Sequence, residues 1–353
     1  MKVPTPSIGT RDQKTDTRNQ EQETRIALLG FGNVARAFVD WLRSSKHPVA
    51  RSIHVTAVSD SNAAVLLESP EQIHNLSLHK SSGLALRDFP TATVFDDYEQ
   101  FFRALLRVGV RTVVESLATN IDNGQPALDM LKLALRSGLN VVTVDKGPLV
   151  HGFKSLQTAA REGSSRFAYT GTTGVAPPDD IVGERVIEIR GVLNGTTNYI
   201  LNELRQSDIS FAEALARTQQ AGIAEPDPRL DIEGFDTACK ILILASSLMG
   251  ARASLAEVSR TGIGDQTDSL VRVAKQSGRV TRLVGRARLW QGRVRISVTP
   301  KLVGADSPFY ELEGTSKAAV FKTESGRELI SFGRSGRDAI SEAIFEDVLK
   351  TEV

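Results

Sequence analysis

The feature that most constrains this chain is a glycine-rich turn set between two regular segments. The apolar run Ile26-Ala27-Leu28-Leu29 leads into Gly30-Phe31-Gly32-Asn33-Val34-Ala35, after which Val34, Phe38 and Leu42 recur at helical spacing. This pattern reads as strand, tight turn, helix. Gly30 would make the turn, Gly32 would let backbone approach a pyrophosphate, and the small Ala35 would let helix and strand pack closely. The helix would then aim its unpaired N–H groups at the phosphates. The same residues also fit a plain tight turn, and it is their placement between a strand and a helix that favours a dinucleotide. Phe31, Asn33 and Val34 complete this candidate cofactor turn.

The alternation continues. Ile53 to Val58 forms a second apolar run ending in Ser59-Asp60, and Thr112-Val113-Val114 leads to Glu115. A helix is predicted over 125–137, stopped by Gly138, with a buried strand at 141–144. Apolar strands alternating with helices predict a parallel sheet covered on both faces. Asp60 stands where a carboxylate can bind an adenosine ribose, although it lies farther along than the ~20 residues usual for that role. A solvated strand-end Asp fits equally, and Lys80 or Arg87 could meet a 2′-phosphate, so NAD and NADP both stay open.

The second half changes texture. Residues 185–190 have strand character, and Asn194-Gly195-Thr196-Thr197 offers caps to a helix through Tyr199 and Leu204. Helices are predicted over 211–221 and 235–249, with 224–229 as a loop between them. Strands over 280–289 and 294–299 flank the hairpin signal Gln291-Gly292. Arg279, Arg282, Arg286 and Arg288 alternate along the first of these, predicting a solvated sheet face. A closing helix over 339–349 would return to the first unit. Two compact units suit 353 residues.

Composition removes several function classes. With 43 Lys+Arg against 42 Asp+Glu, charge gives no reason to expect nucleic acid or an anionic membrane as partner. No stretch approaches the roughly 18 apolar residues of a membrane helix. The single Cys239 excludes an intrachain disulfide framework and a cysteine zinc cluster, and fits a reducing compartment. The five histidines lack metal-ligand spacing, so no metal site is assigned. Residues 1–24 mix acids and bases around no apolar signal core, and are expected to be a poorly ordered tail of a cytoplasmic protein.

A second constellation runs from Gly222 to Lys240. Asp236 and Lys240, at i and i+4, share one helix face. Bare, that spacing also describes a surface ion pair. Here Glu225 and Asp231 precede it on a Pro/Gly-stiffened loop, and the helix is strongly apolar from Ile241 onward. A lysine against a low-dielectric wall can exchange a proton, because burial lowers its pKa; carboxylates nearby can bind an amino group. Lys146 lies just beyond a strand's carboxyl end, where open α/β sheets bind ligands. It could bind a substrate carboxylate, tune the other lysine, or sit in solvent.

Taken together, these stretches resemble homoserine dehydrogenase. The resemblance covers about 25–347 and is carried by Gly30 to Ala35, Asn140-Val-Val-Thr-Val-Asp-Lys-Gly-Pro-Leu149, Gly191-Val-Leu-Asn-Gly-Thr-Thr-Asn-Tyr-Ile-Leu201 and Ala224 to Lys240, in that order. It implies a Rossmann-type α/β dinucleotide-binding domain over 25–165 with 331–353. An α+β substrate-binding and dimerisation domain would occupy 166–330, with no length for an ACT regulatory domain. By position, Lys240 would be the acid/base lysine, Asp236 its partner and Lys146 a second lysine at the reacting end and the cofactor. Glu225 and Asp231 would hold the substrate amino group, and Gly195 and Thr196 would line the pocket. The implied reaction is the NAD(P)-dependent, reversible reduction of L-aspartate 4-semialdehyde to L-homoserine, a step of threonine and methionine biosynthesis, in a homodimer.

The chain departs from the family pattern around the site. Asp145 replaces an Asn and would favour the charged form of Lys146. Ile223 replaces a Tyr, Leu117 a Thr near the nicotinamide, and Gly333-Arg-Ser-Gly336-Arg a Gly/Ala-rich turn, so that Arg334 and Arg337 add bulk and charge. Thr170 stands for a Glu at the monovalent-cation loop, which leaves a cation with weak support. These changes keep two alternatives in view: a relative acting on another amino-acid aldehyde or alcohol, and a cofactor-binding protein without activity.

Overall fold

The structure is a computed structural model describing residues 23–60, 63–69, 71–95 and 97–352; residues 1–22 of the expected tail lie outside these. The first unit contains β1 (Thr24–Leu29), α1 (Asn33–Ser44), β2 (Ile53–Ser59), β3 (Ala64–Leu66), α2 (Gln72–Ser81) and β4 (Ala92–Thr93). It continues with α3 (Tyr98–Arg107), β5 (Thr112–Glu115), α4 (Ala127–Arg136), β6 (Asn140–Thr143), α5 (Lys146–Glu162) and β7 (Phe167–Ala168).

These strands form a seven-stranded sheet in the order β4-β3-β2-β1-β5-β6-β7. Ile26 to Leu29 are fully buried, because the central strand β1 is covered on both faces. Leu29 is level with Ser59 of β2 and with Glu115 of β5. The chain leaves β1 for β2 on one side and later returns to β5 on the other, so Gly30 sits at the switch point of the sheet. The expectation of a wholly parallel sheet needs one correction: β3 adds antiparallel to β2, and β4 antiparallel to β3. At three and two residues they are too short to carry a readable pattern.

The second unit comprises α6 (Thr170–Thr173), β8 (Val186–Val192), α7 (Gly195–Gln206), α8 (Phe211–Gln220), α9 (Arg229–Ile232) and α10 (Phe235–Met249). After these come β9 (Ser259–Arg260), α11 (Thr267–Gln276), β10 (Val280–Trp290), β11 (Arg293–Val303), β12 (Lys317–Thr323), β13 (Glu328–Gly333) and α12 (Arg337–Glu352). A six-stranded sheet has the order β13-β12-β8-β10-β11-β9. Helix α10 lies across it with every residue from Asp236 to Ala245 buried. Gly285 of β10 allows this close seat, since a Cβ there would lie 3.1 Å from Thr237 and 3.2 Å from Ile241.

Helix α12 crosses back to the first sheet. Phe345 packs on Trp41 with ring centroids 5.2 Å apart, and the Asn140 side-chain amide donates to Thr351 O at 3.0 Å. The first sheet extends through Ala168 and the second through Gly333, a few residues past the boundaries read from the sequence.

The largest correction concerns Arg282. It shares a strand face with Arg286 and Arg288, which meet Glu188 in the open, yet it is completely buried. The irregular segment 304–316 covers that end of the face, and Phe309 and Leu312 pack there with Val280 and Val284. The guanidinium donates to the carbonyls of Phe309, Tyr310 and Leu312 and to Asn202 Oδ1, at 2.7–2.9 Å. It thus fastens a segment without secondary structure to β10. Arg282→Met would leave buried acceptors unpaired, and we expect it to cost about 3 kcal/mol in urea denaturation; a loss under about 0.5 kcal/mol would contradict this role.

Candidate active site

One carboxylate gathers the site. Gly234, at φ +79°, turns the chain into α10, placing Asp236 in its first turn and Lys240 one turn on. Asp236 Oδ2 accepts from Lys240 Nζ at 2.6 Å and from the Asn194 amide at 2.9 Å. Its Oδ1 faces Lys146 Nζ at 3.1 Å. Lys146 opens α5, at the carboxyl end of β6, so a single side chain joins the two units. Lys240 also donates to Leu193 O at 3.1 Å. The Asn194 amide reaches Asp231 Oδ1 at 2.6 Å, while its carbonyl caps α7 through Thr197 N–H.

The electrostatics follow from this packing. Burial alone would raise the Asp236 carboxyl, but the Lys240 and Lys146 ammoniums and the Asn194 amide outweigh it and hold the group well below the usual carboxylate range. Asp236 in return holds Lys146 above the ordinary lysine value, against the pull of burial.

These groups open on a cavity of about 700 Å³ lined by Lys146, Asp231, Asp236, Lys240, Gly195 and Thr196, and also by Val34 from the start of α1. Its size suits a small ligand. Sequence reasoning missed one of its walls, Lys317, the first residue of β12. It is 7% exposed, and burial together with Lys240 pushes its ammonium down to about 7. No motif marks it; only the register of β12 against β8 and β13 brings it there.

The cofactor end fits a dinucleotide. Gly30 has φ +90°, and a Cβ on it would lie 2.9 Å from Ser116 O. Gly32 is exposed, with no atom within 4 Å of where its Cβ would stand, and as N-cap of α1 it leaves the first N–H groups without a side-chain cap. Phe31 is buried, and Asn33 is exposed. At the end of β2, Asp60 accepts from Ala63 N–H at 3.1 Å and lies 3.8 Å from Lys80 Nζ. The two groups that would favour opposite cofactors therefore stand side by side.

A family profile for homoserine dehydrogenase matches residues 178–349. The homoserine dehydrogenase of Methanocaldococcus jannaschii is 30% identical over 92% of this chain and 97% of its own length. The chain belongs to the homoserine dehydrogenase family. The NAD(+)-dependent homoserine dehydrogenase of Pseudomonas canavaninivorans is 29% identical over 93% of the chain and 96% of its own. Among solved structures, an Archaeoglobus fulgidus protein assigned to homoserine dehydrogenase superposes with a TM-score of 0.77 at 26% identity, covering 93% of this chain and 98% of that one. The protein is an NAD(P)-dependent oxidoreductase of this family, with its Rossmann-type fold.

Several family expectations take a different form here. Asp145 does not govern Lys146: its Oδ1 accepts Gly147 N–H at 2.9 Å as the N-cap of α5, and Asp236 exerts the larger pull. Glu225 does not line the cavity. Its side chain is exposed on the loop before α9, where Gln219 binds the Glu225 and Pro226 carbonyls. Ile223 contributes its carbonyl, which accepts from the Thr196 hydroxyl at 3.4 Å. The Thr170 segment brings no carboxylate of its own; Asp347 Oδ2 accepts Thr170 N–H at 2.6 Å, Thr170 O accepts Gly174 N–H, and Val175 O accepts the Thr173 hydroxyl. Arg334 lines the mouth of the cavity, and a Cβ on Gly195 would strike Ser335 Oγ beside it.

Beneath the cofactor turn, Glu115 is fully buried and accepts from the Leu117 N–H at 2.7 Å and the Thr143 hydroxyl at 2.5 Å. Burial and then Asp145 push it from 4.5 up to about 8. A carboxyl held protonated in the folded state stabilises fully below its unfolded value and loses that contribution as pH rises towards 8. Glu115→Gln removes this dependence. Its Tm difference from the parent should move in its favour between pH 5 and pH 8, and a pH-independent difference would contradict the assignment.

Proposed function

We propose that this protein catalyses the NAD(P)-dependent interconversion of L-aspartate 4-semialdehyde and L-homoserine, with Lys240 as the acid/base group. The observation that carries this is the single cavity reached both by Val34 of the cofactor turn and by Asp231, Asp236 and Lys240. When bound, NAD(P) supplies or accepts the hydride.

The chain's own residues do the rest. Gly30 to Val34 and the start of α1 receive the pyrophosphate, and Asp60 approaches the ribose. Asp231, whose Oδ1 is held by Asn194, receives the substrate ammonium. In reduction, the Lys240 ammonium stabilises the negative charge growing on the aldehyde oxygen and gives it a proton. In oxidation the neutral amine takes the hydroxyl proton. Asp236 orients Lys240 and, through Lys146, keeps a second positive charge beside the reacting oxygen. Gly195 and Thr196 form the wall opposite.

On the bounds of the two sheets, residues 24–168 with 337–352 serve the dinucleotide, and 169–336 serve the substrate and a homodimer contact. The exposed Ile330 and Phe332 on edge strand β13 support such a contact. Among the described residues no helix is long and apolar enough to cross a membrane, which is compatible with a cytoplasmic enzyme whose partners are small molecules rather than nucleic acid or lipid.

The test is reduction of NAD and NADP followed optically with L-homoserine and with other small amino alcohols. Homoserine should be turned over, and Lys240→Met should lower kcat by about 10²- to 10⁴-fold. Turnover of a different amino alcohol alone, or a Lys240→Met enzyme within about threefold of the parent, would refute the reading.

A further inference from the structure

The mechanism above leaves one buried cation of the cavity wall unused, Lys317. Lys317 enters the cavity from the start of β12, where its backbone pairs with Gly333 of β13. Its side chain runs beneath Gly174, so closely that a Cβ on that glycine would lie 2.6 Å from Nζ. Gly174 also has φ +71°, so a side chain there would be both strained and in the path of the ammonium. The neighbouring charges are Asp236 and Lys240 on α10, Lys146 on α5 and Asp231 on α9, with Arg334 at the mouth of the same cavity.

Neither carboxylate in this set is paired with Lys317. Asp236 spends both oxygens on Lys146 and Lys240, and Asp231 accepts from Asn194. Among the described residues no hydrogen bond or carboxylate within ion-pair reach is found for Lys317 Nζ, although the residue is more than nine-tenths buried. An ammonium set this deep in the cavity wall keeps little of its hydration and has no ion-pair partner among the described residues to replace it. A bound anion would supply that partner.

We propose that Lys317 receives the carboxylate of the amino-acid substrate, opposite the Asp231 end that takes its ammonium, and so selects amino acids over simple amino alcohols. This rests on the function proposed above, since it supplies the second anchor for a zwitterion in that cavity. A site with an acid at one end and a base at the other rejects a ligand lacking either charge, because the unmet group stays desolvated.

Steady-state kinetics of Lys317→Met test this with L-homoserine and with its carboxylate-free counterpart 3-aminopropan-1-ol as a competing ligand. The expected result is a KM for homoserine raised at least about tenfold, kcat within about threefold, and an unchanged KM for the cofactor. The inhibition constant of 3-aminopropan-1-ol should not move. An unchanged homoserine KM, a parallel loss for both ligands, or a fall in kcat alone would overturn the assignment. Should the parent protein not act on homoserine, the functional reading fails separately. Lys317 is then probed in the parent protein by limited acylation and peptide mass spectrometry in acetate against chloride at equal ionic strength. Slower labelling of Lys317 in acetate supports a carboxylate site; equal labelling overturns it.

Discussion

The Asp236 carboxylate is the interaction on which the site depends. It is buried at the start of a helix that is itself buried all round, and it survives as an anion because two ammoniums and an amide approach it from three directions. One ammonium is fixed at the carboxyl edge of the first sheet and the other within the second unit. A cleft between two units needs such a tie, since loops at a sheet edge are otherwise free to move. Removing the carboxylate would leave two ammoniums facing each other in a low dielectric, which is worse than losing an ordinary pair.

The surrounding fold reads as the means of holding that carboxylate in place. Gly285 lets α10 descend onto β10, Gly234 sets its entry angle, and Asn194 ties the end of β8 to both Asp231 and Asp236. On the other side, Asp145 caps α5 and so aims Lys146 away from itself and across the cleft. The departures at 145 and 223 thus leave the lysine pair intact, because the contacts made there run through a helix cap and a backbone carbonyl. Those at 334 and 337 fall at the mouth or beyond it.

Much of this was legible in the sequence. The glycine turn, the parallel core, α10 and the pairing of Asp236 with Lys240 follow from periodicity and i, i+4 geometry, which are local properties. The ion pair from Lys146 to Asp236 was not, because it spans two units and no spacing rule connects them. Lys317 was missed and Arg282 misread as solvated for a related reason: what buries each basic side chain is an irregular or distant segment that carries no pattern. Glu225 shows the converse, a motif residue whose loop, held at its carbonyls by Gln219, turns the side chain outward.

A crystal structure with NADH and L-homoserine, a pair that cannot react, tests the central claim most directly. The substrate hydroxyl should lie within about 3.2 Å of Lys240 Nζ, with Asp236 still bridging Lys146 and Lys240. A hydroxyl held by another group, with Lys240 turned away and buried on Asp236 and Leu193 alone, would contradict it.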